Sequence, residues 1–243
     1  YIPLLKIVPL VACLELFSFF SFHLLAKRSR FQLQGFLGGF ISSTAVFLQI
    51  LNDNKYLLTN QRDLLNTLFF ALCAMLLECL FIIFFLSDDL PFIYYLPFIT
   101  QFIVFFTAII HVTMVSNLRF ANSHTASSAI DIELLNDHPI IWKNVAKLSI
   151  LIFLIISVMN FIGSELAVSR SVATLLISLF EAHAILASVM MEWPLQTSNI
   201  DLITLFFIIL LGNTLSKSYL AIRGKNLTQK GYFVAVMLLS FLA

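Results

Sequence analysis

The chain has 243 residues, of which 60% are hydrophobic and only 11% charged, with 26 Phe, a net charge of +1 and a mean hydropathy of +0.98. A soluble domain of this length would carry about 25% charged residues, and no basic tract is long enough to suggest a nucleic-acid partner. The apolar residues fall in blocks of roughly 20, the length that crosses about 30 Å of hydrocarbon. The expected fold class is therefore all-α, a polytopic transmembrane helix bundle whose first partner is the lipid bilayer.

Taken in order, the expected spans are 2–25, 31–51, 64–86, 91–115, 145–164, 171–191, 200–222 and a cut-off eighth at 231–243. The first has no basic region or small-residue cleavage motif ahead of it, so it does not read as a signal peptide. With no Met at its start, the chain is expected to be a piece of something longer. The second span holds Gln32, Gln34, three glycines and Ser42-Ser43-Thr44, which makes it polar enough to be broken or re-entrant. Cys13, Cys73 and Cys79 lie in apolar segments without CxxC spacing, so they read as small buried hydrophobes, with no disulfide framework or metal site.

If all eight segments cross, connections alternate between two faces. One face collects Lys27, Arg28, Arg30, Arg170, Arg223, Lys225 and Lys230, and is expected to be cytoplasmic because basic residues in short loops stay inside. The connection 116–146 then lies outside, with Trp142 at the interface and Asp131, Glu133, Asp137 and His138 on a solvated face. The sequon Asn226-Leu227-Thr228 falls inside and is discarded. The domain division on this reading is 1–116 as a first membrane repeat, 117–144 as an extracytoplasmic loop with an interfacial segment, and 145–243 as a second repeat with a truncated last span.

The two halves correspond without a gap when the chain is shifted by 139 residues. Ser42-Ser43-Thr44 falls on Glu181-Ala182-His183, Ala74 on Asn213, and Glu78 on Lys217. Duplication of this kind is common in transporters, whose sites lie at the repeat interface near mid-membrane. Four spans per repeat make the halves parallel; an odd number, if the second segment is re-entrant, inverts them.

At these positions the runs Gly35-Phe36-Leu37-Gly38-Gly39-Phe40-Ile41-Ser42-Ser43-Thr44-Ala45-Val46 and Gly212-Asn213-Thr214-Leu215-Ser216-Lys217 resemble the C-terminal multi-pass domain of MgtC/SapB-type bacterial proteins, domain of unknown function 4010. The resemblance spans essentially the whole chain, including Glu133-Leu134, and implies a bacterial inner-membrane protein with an MgtC-like domain upstream. This sequence departs from the family where Glu181-Ala182-His183-Ala184 replaces an Asp-x-Asp-Ala element. It departs again where Glu78 replaces an Arg, so no role of that Arg carries over.

Glu78, Glu181, His183 and Lys217 sit well inside apolar segments, where each would cost at least ~2.5–3.5 kcal/mol if it faced lipid. Ser42, Ser43, Thr44, Glu181, His183 and Asn213 are the expected substrate or ion site, and Glu78 with Lys217 an expected buried ion pair. Glu181 and His183 lie about 200° apart on a regular helix, so both can face one pocket only if the helix is broken between them. Gly35, Gly39 and Ser43 form a small-residue ridge that lets backbones approach, within one chain or in a homo-oligomer. The function expected is a transporter-like membrane protein for an ion or small solute, neither enzyme nor cofactor-binding; the alternative is a non-transporting regulator or scaffold coupled to an MgtC-like domain.

Overall fold

The computed structural model describes residues 31–52, 60–86, 90–119, 167–179, 182–192 and 202–242, and these are helical with no strand among them. In chain order the helices are α1 (Phe31–Asn52), α2 (Gln61–Leu86), a 3-10 turn (Phe92–Tyr94), α3 (Leu96–Arg119), α4 (Ala167–Ser178), α5 (Ala182–Glu192), α6 (Leu202–Arg223) and α7 (Lys230–Leu242). Three are long and apolar enough to cross a membrane: α2, the 96–114 part of α3, and α6. The expected spans 2–25 and 145–164, and the connection with Trp142, lie outside the described residues.

Local chemistry sets the helix ends. The Asn60 side chain accepts from the Arg62 N–H at 3.2 Å, an N-cap for α2, and Asp63 adds a negative charge to its positive first turn. α6 stops at Gly224, where the Lys230 ammonium takes the open carbonyl of Ile222 at 2.7 Å.

The expected second span is not one continuous helix. At Ser42 the backbone leaves the helix (φ −168, ψ 109), and the Ser42 hydroxyl accepts from the Ala45 N–H at 3.3 Å. That is an N-cap, so residues 43–52 begin a new helix rather than continue the old one. Gly38 and Val46 would be about 12 Å apart along straight helix, yet a Cβ on Gly38 would lie only 2.8 Å from Val46 Cγ2. The two halves of α1 fold against each other about Ser42, and α1 is a helical hairpin. Its first half runs alongside α2 in the same direction, because Gly35 meets Thr67, Gly39 meets Ala71 and Ser43 meets Met75, each pair 32 residues apart. The second half returns toward the beginning of α2. The ridge of small residues thus packs inside the chain, against α2.

Polar bonds show which helix ends share a side. The Leu51 carbonyl accepts from the N–H groups of Lys225 and Asn226 at 2.9 and 3.2 Å, and the Asn226 amide donates to Ile50 O at 2.7 Å. Gln61 donates to Asn226 O at 2.7 Å and accepts from Thr228 N–H at 2.8 Å. The end of α1, the start of α2 and the end of α6 therefore lie together, which we call the Lys225 side. The alternating scheme set the 52–63 and 223–230 connections on opposite faces; these bonds correct it. With its amide buried and engaged, Asn226 is also no open sequon.

α3 runs back toward the same side, since Asn66 near the start of α2 donates to Thr113 near the end of α3 at 3.2 Å. α7 runs opposite to α3: His111 meets Tyr232 at 3.1 Å, while Gln101 donates to Ser240 at 3.3 Å. Phe69, Phe105 and Phe233 stack at centroid distances of 6.1 and 5.2 Å, and Phe47 meets Phe233 edge-on at 5.7 Å. All four are fully buried, and contacts of this kind add about 0.5–1.5 kcal/mol each beyond area burial. They join the returning half of α1 to α2, α3 and α7. Outside, Ile103, Phe106 and Ile110 form an exposed apolar stripe on α3 suited to lipid.

Candidate functional site

Two residues of the second polar triplet, Ala182 and His183, begin a helix. α4 ends at Ser178, Leu179 is in a turn, and α5 begins at Ala182, which with His183 forms its first turn. Glu181 itself lies outside the described residues. α4 packs on α6 where Ser178 and the Leu175 carbonyl crowd Gly212, which leaves no room for a Cβ there. Gly39 approaches Ala71 as closely, and a Cβ there would fall 2.6 Å from the Ala71 carbonyl oxygen.

His183 is the second residue of α5 and is 4% exposed. Its Nδ1 lies 3.8 Å from Oε2 of Glu78, which is 1% exposed on α2. Thr44 is the second residue of the returning half of α1, and its hydroxyl accepts from the Lys217 ammonium of α6. Lys217 is 2% exposed and sits 5.7 Å from the centre of the buried Phe47 ring, a distance at which the ring face attracts a cation. The 139-residue shift carries Thr44 onto His183 and Glu78 onto Lys217. Each contact joins the first turn of a half-helix to a charged residue of an unbroken helix.

Of the remaining expected site residues, Ser42 caps the hairpin and Ser43 is buried, its hydroxyl 3.4 Å from the Met75 sulfur. Asn213 is buried one turn before Lys217 on the same face, and its Nδ2 has no hydrogen-bond acceptor among the described residues. The structure brings Ser42, Ser43 and Thr44 to the tip of the hairpin and Lys217 against that tip. It brings His183 and Glu78 together at the start of α5. Phe47 and Met75 were missed by sequence reasoning, since neither carries a polar signal in an apolar helix. A cavity of about 280 Å³ lies elsewhere, between α3, α6 and α7, lined by Pro97, Thr100, Phe207, Leu210 and Ser240.

The family described as a domain of unknown function (DUF4010) matches residues 10–224. The chain belongs to this family. The match takes in the Ser42 break, the start of α5 and all four residues of the paired contacts, so the hairpin and its partners lie within the family's domain. No curated protein and no solved structure matches the chain.

Proposed function

We propose that this chain is a membrane transporter built from two inverted halves, each contributing one helical hairpin whose tip reaches the middle of the bilayer. The observation that carries it is the pair of equivalent contacts, Glu78 with His183 and Lys217 with Thr44, each at the start of a half-helix. Irregular backbone at membrane depth is tolerated where it lines a cavity or is buried in protein, and broken helices at a repeat interface are a recurring way to build a transport site. The antiparallel course of α3 and α7, and of α2 and α6, fits inverted halves. A re-entrant α1 leaves each half an odd number of crossings, with 2–25 and 145–164 as the first crossing of each, α4–α5 as the second hairpin, and six crossings in total.

This arrangement also gathers the basic residues. The Lys225 side takes Lys27, Arg28, Arg30, Lys55, Arg62, Arg119, Lys143, Arg223, Lys225 and Lys230, whereas the other side takes Arg170 against Asp88, Asp89, Glu165, Glu192 and Asp201. The Lys225 side is therefore cytoplasmic on this proposal, and so is the 120–144 connection, the reverse of the sequence-based expectation. The wider resemblance to MgtC/SapB-type proteins points to a bacterial inner membrane. Glu78 with His183 supplies two groups able to exchange a proton, and Glu181, immediately before α5 in sequence, is a third.

The test is reconstitution in sealed vesicles with a trapped pH dye, imposing gradients of sodium, potassium, chloride, nitrate and formate in turn. Coupled proton movement that is lost in Glu78→Gln and in His183→Ala supports the reading. Correctly inserted protein that moves neither protons nor any of these ions returns the chain to the scaffold class.

A further inference from the structure

We propose that the exposed edge of α6 at the Lys225 side, built from Leu215, Tyr219 and Arg223 with Lys225 and Lys230 beside it, is a binding site for an anionic phospholipid. The site requires that the chain lie in a bilayer and is independent of the transport reading.

α6 is long and apolar enough to cross a membrane, and Arg223 is its last residue. Leu215, Tyr219, Ile222 and Arg223 fall at i, i+4, i+7 and i+8, which puts them on one face of two helical turns, about 12 Å long. All four are exposed, Leu215 at 47% and Tyr219 and Ile222 at 55% each. The edge passes from hydrocarbon at Leu215, through the amphipathic Tyr219 ring, to a cation at the helix end. A phospholipid lying along it presents acyl chain, glycerol and phosphate in that same order.

Charge at this end is one-sided. From Leu202 to Ala243 the chain carries Lys217, Arg223, Lys225 and Lys230 and no Asp or Glu. Asp63, in the first turn of α2 on the same side, forms no ion pair with Arg223, Lys225 or Lys230 among the described residues.

Cations at the end of a helix ordinarily serve its open carbonyls. Here Lys230 does so, giving one of its three donors to Ile222 O at 2.7 Å. Arg223 does not. Its Cζ lies 5.5 Å over the centre of the Tyr219 ring, one turn back along the edge, and its guanidinium makes no hydrogen bond to any described residue. A planar guanidinium with five N–H donors matches two oxygens of a phosphodiester. A second copy of the chain is a poor occupant of this edge. Copies related by a two-fold axis along the membrane normal bring the same edge together, setting Arg223 against Arg223.

The experiment is thermal unfolding of the purified chain in nonionic detergent micelles at fixed ionic strength, adding phosphatidylglycerol, phosphatidylcholine or glycerol phosphate. Phosphatidylglycerol should raise the melting temperature as its mole fraction rises, and more than phosphatidylcholine does. Arg223→Gln should fold, since the side chain is exposed with no hydrogen bond to lose. It should need about fivefold more phosphatidylglycerol for the same rise, the effect of roughly one basic residue at an anionic surface. Arg119→Gln removes the same charge from the end of α3 and should respond like the parent. Equal responses to the two lipids overturn the site, and so does an undiminished response in Arg223→Gln. An equal loss in Arg119→Gln also overturns it, because total charge would then suffice. Glycerol phosphate acting as well as the lipid assigns the edge to free phosphate and defeats the lipid proposal. Flux in vesicles bears on the transport reading alone, so either can fail without the other.

Discussion

Gln101 donates a hydrogen bond to Ser240 at 3.3 Å, and the two residues are 139 positions apart, the offset that superimposes the two halves of the sequence. On the proposed reading of two related halves, a residue that touches its own counterpart lies close to the axis between them. α3 and α7 run in opposite directions there, so on that reading the axis lies across the helices and not along them. Gln101 also donates to Thr214 at 3.3 Å, which ties α6 to the same point.

Sidedness follows from that geometry. In a background without Cys13, Cys73 and Cys79, single cysteines at Asn60, Ser127 and Thr228 should be labelled from one side of the membrane, the cytoplasmic one. A cysteine at Pro91 should be labelled from the other. Opposite labelling of Asn60 and Thr228 would contradict the bonds of Gln61 to Asn226 and Thr228.

The hairpin depends on its cap. Ser42→Ala removes the acceptor for the Ala45 N–H and should cost about 0.5–2 kcal/mol. Ser42→Asp should retain most of it, since a carboxylate caps equally well and suits the positive helix end. Unfolding in detergent would compare the three proteins, and equal losses in Ala and Asp would argue against a capping role.

Close approach along the ridge gives a steric prediction. Gly39→Val places carbon against the Ala71 backbone and should destabilise by about 1–3 kcal/mol. Gly231→Ala meets nothing within 4 Å and should be neutral or mildly stabilising. The contrast between the two, measured as melting temperature, is the informative quantity.

Glu78 and Lys217 were expected to pair, and a double-mutant cycle addresses that directly. Removing one charge should destabilise by roughly 3–5 kcal/mol, and removing both should cost less than the sum if the two compensate each other. The proteins are Glu78→Gln, Lys217→Met and the combination, compared by thermal stability. Strict additivity would mean that each is held by its own surroundings, Glu78 by His183 and Lys217 by Thr44 with Phe47.

Much of the polar chemistry was legible along the chain. Ionisable residues in apolar segments stand out because lipid tolerates them poorly, and the 139-residue offset aligned Ser42–Thr44 with Glu181–His183 without any coordinates. Glycines beside Ser42 marked the segment as breakable. Its destination was not legible. Two half-helices of about ten residues contain the same apolar length as one span, so hydropathy cannot tell a hairpin from a crossing.

That ambiguity propagated into the face assignment, since a segment that turns back exchanges the connections after it until another segment turns back. Contacts between residues distant in sequence decided it: Val46 against Gly38, Leu51 against Asn226, Gln61 against Thr228. Partner choice was settled the same way. Composition and hydropathy marked this as a helical membrane protein, because those depend on local solvation and period. Which residue faces Glu78, and which way each half runs, depends on long-range packing and buried polar bonds that only the folded chain assembles.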